Sequence, residues 1–441
     1  MSKMFKLSSS SAEAVASIEE LLNLILLRVP ALSLIRFQSV SKHWHSLISD
    51  PDFRRHHTLQ NRNSKISAFF SPITNEEAFK SITLEIPSGN PFKTLNTSVP
   101  GASKLMIRIL QSCNGLFLCQ IWLIREPTKP IYVVNPTTNQ FRGLSPPSVC
   151  QEKRDAFVRY ALAFDPSRSP HYNVVCVTNY QRYYEKGQHK IYIFSSETGE
   201  WKHLETPFFR SPNEEGHQVF VESALNFDFR SKLEAVYYNG AVHWIRDRYV
   251  SSLSSCLHVD GKLEFMRSKS DVLHYFEISQ ERLLVVSATP PVSPVVNNIP
   301  QGINRFGRRT ITWPTLIQIY FGECGGRLYY IETYKQCMFQ FDLMEMESDY
   351  SGWFVKYHVD LNPLVAALPG PDWNFFTVLC LSPKEETSRR TSDEGKVISY
   401  NSTNGTFKTS VEFANKELFI DLKHCIRKDV TFPFRETLAC L

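Results

Sequence analysis

No two of the ten cysteines, at 113, 119, 150, 176, 256, 324, 337, 380, 425 and 440, form a C-x-x-C pair. Without paired cysteines repeating at ligand spacing, a structural zinc site is not expected. No apolar segment stands behind a basic start, so the expected setting is cytoplasmic and/or nuclear, with reduced and mostly buried thiols. A Ser-rich, Lys-bearing first ten residues could open a transit peptide, but a helical pattern with two glutamates begins too soon, at residue 17. No stretch approaches the roughly 18 uninterrupted apolar residues of a membrane span. Lys and Arg total 49 against 44 Asp and Glu, leaving +5 with no run of five basic residues. A nucleic-acid stripe is therefore not expected.

Catalytic signatures are equally scarce. There is no G-x-S-x-G elbow and no kinase set of motifs. Gly322–Gly326 is rich in glycine but lacks the Lys-Ser/Thr and following helix of a phosphate loop, and reads as a tight turn. His43 and His45 have the spacing of a metal pair, but no third ligand stands near, so they read as helix histidines. Asp165-Pro166 and Asn135-Pro136 read as turn starters. The expectation is a protein without catalytic residue, cofactor or metal.

What is present is apolar and aromatic. Hydrophobic residues make up 42% of 441, charged residues 21%, and 31 Phe with 18 Tyr raise the aromatic share to 13%. This suits a small module plus a large one, the second built of short strands and turns. In the first part, Ser17-Ile18-Glu19-Glu20 fits a capping box. Leu21, Leu22, Ile25, Leu26 and Val29 share a helical face that Pro30 ends. Leu32, Leu34, Ile35 and Phe37 form a second, shorter element, and Val40, Trp44, Leu47 and Ile48 lie on a third. Asp50-Pro51 stops that helix and starts another through Phe53. A module of this size is hard to stabilise alone, and its apolar residues exceed what three short helices can hide. Either a partner covers the excess or the following domain does.

After Gln60–Lys65 the spacing turns to strands. A hairpin unit, apolar strand, polar turn, aromatic and basic residue, recurs at 131–142, 191–202 and 397–408, with a looser copy at 257–267. In each, the Asn/Gly/Thr turn tolerates the needed angles and the aromatic packs back across. A second unit, a Gly turn into a strand, occurs at Asn114-Gly115, Asn239-Gly240 and Gly325-Gly326. Spacings near 40–70 residues predict a β-propeller of about six blades between 66 and 415, with packed β-sandwiches as the alternative. Thr289–Thr310 is expected to be an exposed loop and Pro383–Glu394 to be disordered.

Two resemblances follow. Glu19-Glu20-Leu21-Leu22, Ile25 to Pro30, Leu34-Ile35-Arg36-Phe37, Val40-Ser41-Lys42-His43-Trp44 and Leu47 to Pro51 resemble the F-box, in its plant form. That family usually opens with Leu-Pro, where this chain has Ser17-Ile18, and often has Glu where this chain has Leu24. Ser112 to Leu116, Val134 to Thr138, Phe164-Asp165-Pro166, Tyr192 to Trp201 and Gly240 to Trp244 look like the plant F-box-associated domain, which is similar to kelch propellers.

The resemblances imply a tail over 1–15, an F-box of three short helices over 16–58, a linker over 59–65, the propeller over 66–415 and a C-terminal segment over 416–441. They imply the substrate-recognition subunit of an SCF-type ubiquitin ligase. A Skp-type adaptor, and through it cullin and RING subunits, would bind Leu21, Leu22, Ile25, Leu26, Val29, Pro30, Leu34, Phe37, Val40, Trp44 and Ile48, some of which should face the module's own core. The strand domain would take the target protein, and neither nucleic acid nor membrane is an expected partner. A propeller scaffold with a degenerate F-box, or a propeller enzyme with acidic or histidine residues converging on its axis, are the competing readings.

Overall fold

The first described elements are four helices, rather than three: α1 (Glu19–Leu26), α2 (Ala31–Phe37), α3 (Lys42–Ser49) and α4 (Pro51–Gln60). A computed structural model describes residues 19–61, 66–72, 79–83, 106–122, 130–145, 147, 157–180, 188–204, 209–210, 234–245, 256–259, 262–265, 273–286, 302–303, 309–310, 316–367, 377–378, 388–391, 397–400, 407–411 and 432–441. The capping box at Ser17 lies outside them. The extra helix comes from the restart at Asp50: its Oδ1 accepts the Phe53 amide at 2.9 Å and Pro51 occupies the first turn. Ser41 caps α3 by accepting the Trp44 amide at 3.1 Å, which leaves Val40 outside that helix and not on its face. Among the described residues no helix is long and apolar enough to cross a membrane.

The strand region runs β1 (Ile66–Pro72), β2 (Phe79–Thr83), then β3 (Met106–Cys113), β4 (Leu116–Trp122), β5 (Ile131–Asn135) and β6 (Gln140–Leu144) as one antiparallel sheet. A second is β7 (Phe157–Ala163), β8 (Asn173–Tyr180), β9 (Gln188–Ser195) and β10 (Trp201–Leu204). A third joins β11 (Phe209–Arg210), β12 (Val236–Tyr238) and β13 (Ala241–Ile245) to β16 (Leu273–Glu277) and β17 (Arg282–Val286), with the hairpin β14 (Cys256–Val259) and β15 (Lys262–Phe265) between. Two short strands, β18 (Gly302–Ile303) and β19 (Arg309–Thr310), pair inside the segment expected to be a loop. The fourth sheet is β20 (Leu316–Cys324), β21 (Arg327–Tyr334), β22 (Gln340–Met346) and β23 (Trp353–Asp360), followed by helix α5 (Asn362–Ala367). The fifth is β24 (Thr377–Val378), β25 (Ser388–Thr391), β26 (Val397–Tyr400) and β27 (Phe407–Val411). The expected disorder over Pro383–Glu394 is thus corrected at Ser388–Thr391, which pairs on both sides. Last, β28 (Phe432–Arg435) returns to pair with β1, giving the order β2-β1-β28.

These sheets stack in a relay. Phe70, Phe432 and Phe434 of the β2-β1-β28 sheet pack on Ile109, Phe117 and Val134 of the β3–β6 sheet. The other face of that sheet, through Leu116, Leu118 and Val133, meets Leu162, Val174 and Phe194 of the next. That sheet in turn presents Ala161, Val175 and Ile191 to Val242 and Trp244, and a further core joins Tyr275 and Leu284 to Tyr330 and Met344. Sheets buried on both faces are not the layers of a sandwich, where each sheet keeps one wet face. Edge strands of successive sheets approach one another: β28 with β3, β3 with β7, β7 with β12, β12 with β20.

The recurrent units explain how neighbours are fixed. The Asn-Gly turns put both residues at positive φ, 47° and 87° at Asn114-Gly115 and 47° and 81° at Asn239-Gly240, the geometry a tight hairpin requires. Phe141 packs 6.0 Å from Tyr132 and Trp201 5.5 Å from Phe194, each onto the preceding strand. The basic residue of the unit crosses to the following sheet. Arg142 donates to the Ser196 carbonyl at 3.0 Å, and Lys202 reaches Glu281 at 2.6 Å. Buried Gln111 bridges β3 to β7, donating to the Leu162 carbonyl and accepting its amide, at 2.9 and 2.7 Å. Cys113, Cys119, Cys176 and Cys324 are buried, Cys337 is half-buried and Cys440 is exposed.

Candidate functional site

Helix α1 carries apolar side chains on two sides, and only one of them is covered. Leu22 and Leu26 are buried, at 3% and 1% exposure, in a core with Ala31, Leu34, Ile48 and Phe53. Leu21, Leu24 and Ile25 point the other way, 42%, 57% and 49% exposed, and Val40 beyond α2 is 61% exposed. Pro30 is also exposed. Among the described residues, four of the five exposed large apolar side chains therefore belong to this module; the fifth is Val355. Scattered single apolar residues on a surface need no explanation, but three on one side of one short helix do.

The expected adaptor residues separate accordingly. Leu21, Ile25, Pro30 and Val40 are at the surface. Leu22, Leu26, Leu34 and Ile48 are interior and hold the module together. Val29, Phe37 and Trp44 are half-buried on the edge of that core, the last two in an edge-to-face pair with centroids 5.6 Å apart. Leu24 belongs with the exposed group although the residue pattern marked it only as a departure. His43 and His45 are both exposed on α3.

Helix α4 locks the loop after α1. The ring of buried His57 lies 2.7 Å from the Val29 carbonyl, and Asn61 donates to the Leu27 carbonyl at 2.9 Å, satisfying acceptors that the end of α1 leaves open. Burial pulls the His57 imidazole below its ordinary pKa, with the Val29 carbonyl acting in the opposite sense.

The chain's last residues complete the module, which sequence reasoning missed. Pro30 offers α2 no side-chain cap. Instead Glu436 Oε2 accepts the Leu32 amide at 2.9 Å, an anion at a helix N-terminus supplied from the other end of the chain. Leu438, fully buried, lies in the core with Leu22, Leu26, Leu34 and Ile48. The alternation Phe432-Pro433-Phe434 was the available signal for a strand here, and without a partner strand in sequence view it stayed unread.

Two of the strand domain's buried titratable side chains are held by tyrosines. Glu332 accepts the hydroxyls of Tyr330 and Tyr334 at 2.6 and 2.7 Å. His243 lies against Tyr275 and Tyr350, which stack on each other with centroids 4.6 Å apart, and contacts the Tyr350 hydroxyl at 2.8 Å; burial lowers its pKa to about 3. Among the described residues no three His, Cys, Asp or Glu side chains are grouped to hold a metal.

A family model described as "F-box associated beta propeller domain" matches residues 73–296, and one described as "F-box domain" matches residues 19–56. The chain belongs to the F-box-associated β-propeller family. It is a plant F-box protein whose F-box is followed by that domain. Its similarity to the F-box protein At5g07610 of Arabidopsis thaliana is 29% identity over 98% of this chain and 94% of the relative. The F-box protein At5g49610 of the same plant is 26% identical over 57% of this chain and 63% of its own length. A crystal structure of the tricorn protease aligns with 80% of this chain and 35% of that one, at 10% identity and a TM-score of 0.30. That likeness is too loose to carry fold or activity.

Proposed function

We propose that this protein is the substrate-recognition subunit of an SCF-type ubiquitin ligase, non-catalytic itself, working in the cytoplasm and/or nucleus. The observation that carries the reading is the two-sided helix α1: one side closes the F-box core, while Leu21, Leu24 and Ile25 stay exposed. Covering such side chains stabilises a complex by about 1 kcal/mol each at half exposure, and a Skp-type adaptor is the partner the F-box implies. Cullin and RING subunits would then join through the adaptor. Val40 and Pro30 extend the same surface, with Val29, Phe37 and Trp44 at its margin.

The β-domain is the target-binding part, and the relay of sheets supports six blades closed by β1 and β28. Its two ends are not equivalent. Asn114 and Pro166, just past the ends of β3 and β7, line a cleft with His57 and Thr58 of the F-box. The target surface is therefore the opposite end, where those strands begin. Ubiquitin transfer would be done by other subunits, with this protein supplying proximity and orientation.

Co-expression with a Skp-type adaptor and a cullin tests this. The wild-type chain should bring both through purification, and Leu21→Asp with Ile25→Asp should lose both while the chain stays folded. Absence of adaptor from the wild-type preparation would leave a propeller scaffold as the better reading.

A further inference from the structure

We propose that Phe432–Leu441 is a strap that fixes the angle between the F-box and the β-domain. Domains joined by a short connection move relative to one another unless a substantial apolar interface stops them. Here one extended segment is shared between the two, residue by residue. Phe432 and Phe434 of β28 are buried against the β3–β6 sheet, with Phe434 5.7 Å from Phe70 and 5.9 Å from Phe117. Glu436 turns to the F-box and accepts the Leu32 amide. Thr437 turns back, its amide donating to Thr137 Oγ1 at 3.1 Å. Leu438 enters the F-box core and Ala439 the core between the β3–β6 and β7–β10 sheets.

The β-domain's grip on the strap is built into its first clear hairpin. The Asn135 side-chain amide donates to the Thr437 carbonyl at 3.1 Å and the Ala439 carbonyl at 2.8 Å, while its Oδ1 accepts the Thr137 amide at 3.0 Å. Asn135 is fully buried, so this hairpin-turn residue is also the strap's anchor. Gly115 lies under the strap, where a Cβ would come within 2.7 Å of the Arg435 carbonyl oxygen. The consequence for ubiquitin transfer rests on the receptor reading: a fixed angle confines a bound target to one region of the complex. The strap does not depend on that reading.

The test measures a distance distribution between spin labels in the full chain, attached through a ketone-bearing residue introduced at exposed His45 and exposed Glu197. The otherwise wild-type chain should give one narrow distribution. Leu438→Asp, which removes the F-box anchor, should broaden it at least twofold. Because that variant can also unsettle the F-box, Asn135→Ala removes the β-domain's grip without touching the F-box. It should broaden the distribution too while adaptor capture is retained. An unchanged width in Asn135→Ala, or a broad distribution in the wild-type protein, overturns the strap. Failure of every form to capture an adaptor would instead count against the receptor reading, leaving the width result to stand.

Discussion

Leu438→Ala removes three carbons from a site enclosed by Leu22 and Leu26 of α1, Leu34 of α2, Ile48 of α3 and Phe53 of α4. Burial costs for such truncations are roughly 2–5 kcal/mol, larger where the walls cannot collapse into the void. Here the walls stand on four different helices, two of them tied together by His57 and Asn61 through the Val29 and Leu27 carbonyls. Collapse is therefore restricted, and the expected loss is about 3 kcal/mol. The loss falls on the F-box, because the β-domain keeps its own hold on the strap through Asn135. In amide hydrogen exchange the slowest F-box amides should lose protection about a hundredfold, as 1.4 kcal/mol is a factor of ten. Amides of β8 and β9 should change little. Leu24→Ala, at an exposed site, should alter protection by less than threefold, since surface changes stay within about 0.5 kcal/mol. Were Leu438→Ala to behave like Leu24→Ala, the claim that the C-terminus completes the F-box core would be wrong.

Asp50→Ala should destabilise the F-box by about 1 kcal/mol through loss of the α4 cap, measured by the same exchange, with Asp50→Asn restoring most of it. Tyr334→Phe removes a hydroxyl donated to buried Glu332 and should lower thermal stability of the β-domain by about 1–3 kcal/mol, seen by calorimetry. His57 and His243 both have folded pKa values below that of the unfolded chain, because burial disfavours the imidazolium. The unfolded state thus takes up protons first. Their contribution to stability is complete above the unfolded value of 6.5 and is lost as pH falls, for His243 down to about 3. Denaturant midpoints should drop between pH 7 and pH 5, and His243→Phe should flatten that slope; a pH-independent midpoint would contradict the assignment.

The local parts of this fold were readable because their determinants are local. Asp50-Pro51 specifies its own cap and first turn, and Asn114-Gly115 its own hairpin, whatever else the chain does. The aromatics after each turn pack on strands a few residues away, so Phe141 and Trp201 could be placed from spacing. Division of the F-box residues into interior and surface was not readable. Leu22 and Ile25 have the same chemistry on the same helix, and what separates them is the position of α3 and α4 and of Leu438, the last of these hundreds of residues away in sequence. The strap was invisible for the same reason: Glu436 caps a helix 404 positions away. Sequence left open whether a partner or the following domain covers the module's excess apolar surface. The structure answers for one side only. Leu438 closes the inner side, and Leu21, Leu24 and Ile25 remain bare.

Those bare residues are where the central claim is most exposed to test. Purified Skp-type adaptor titrated into the full-length chain should bind saturably, and Leu21→Asp with Ile25→Asp should weaken binding more than tenfold with F-box exchange protection unchanged. Equal binding by the variant, or none by the wild-type chain, would contradict the account.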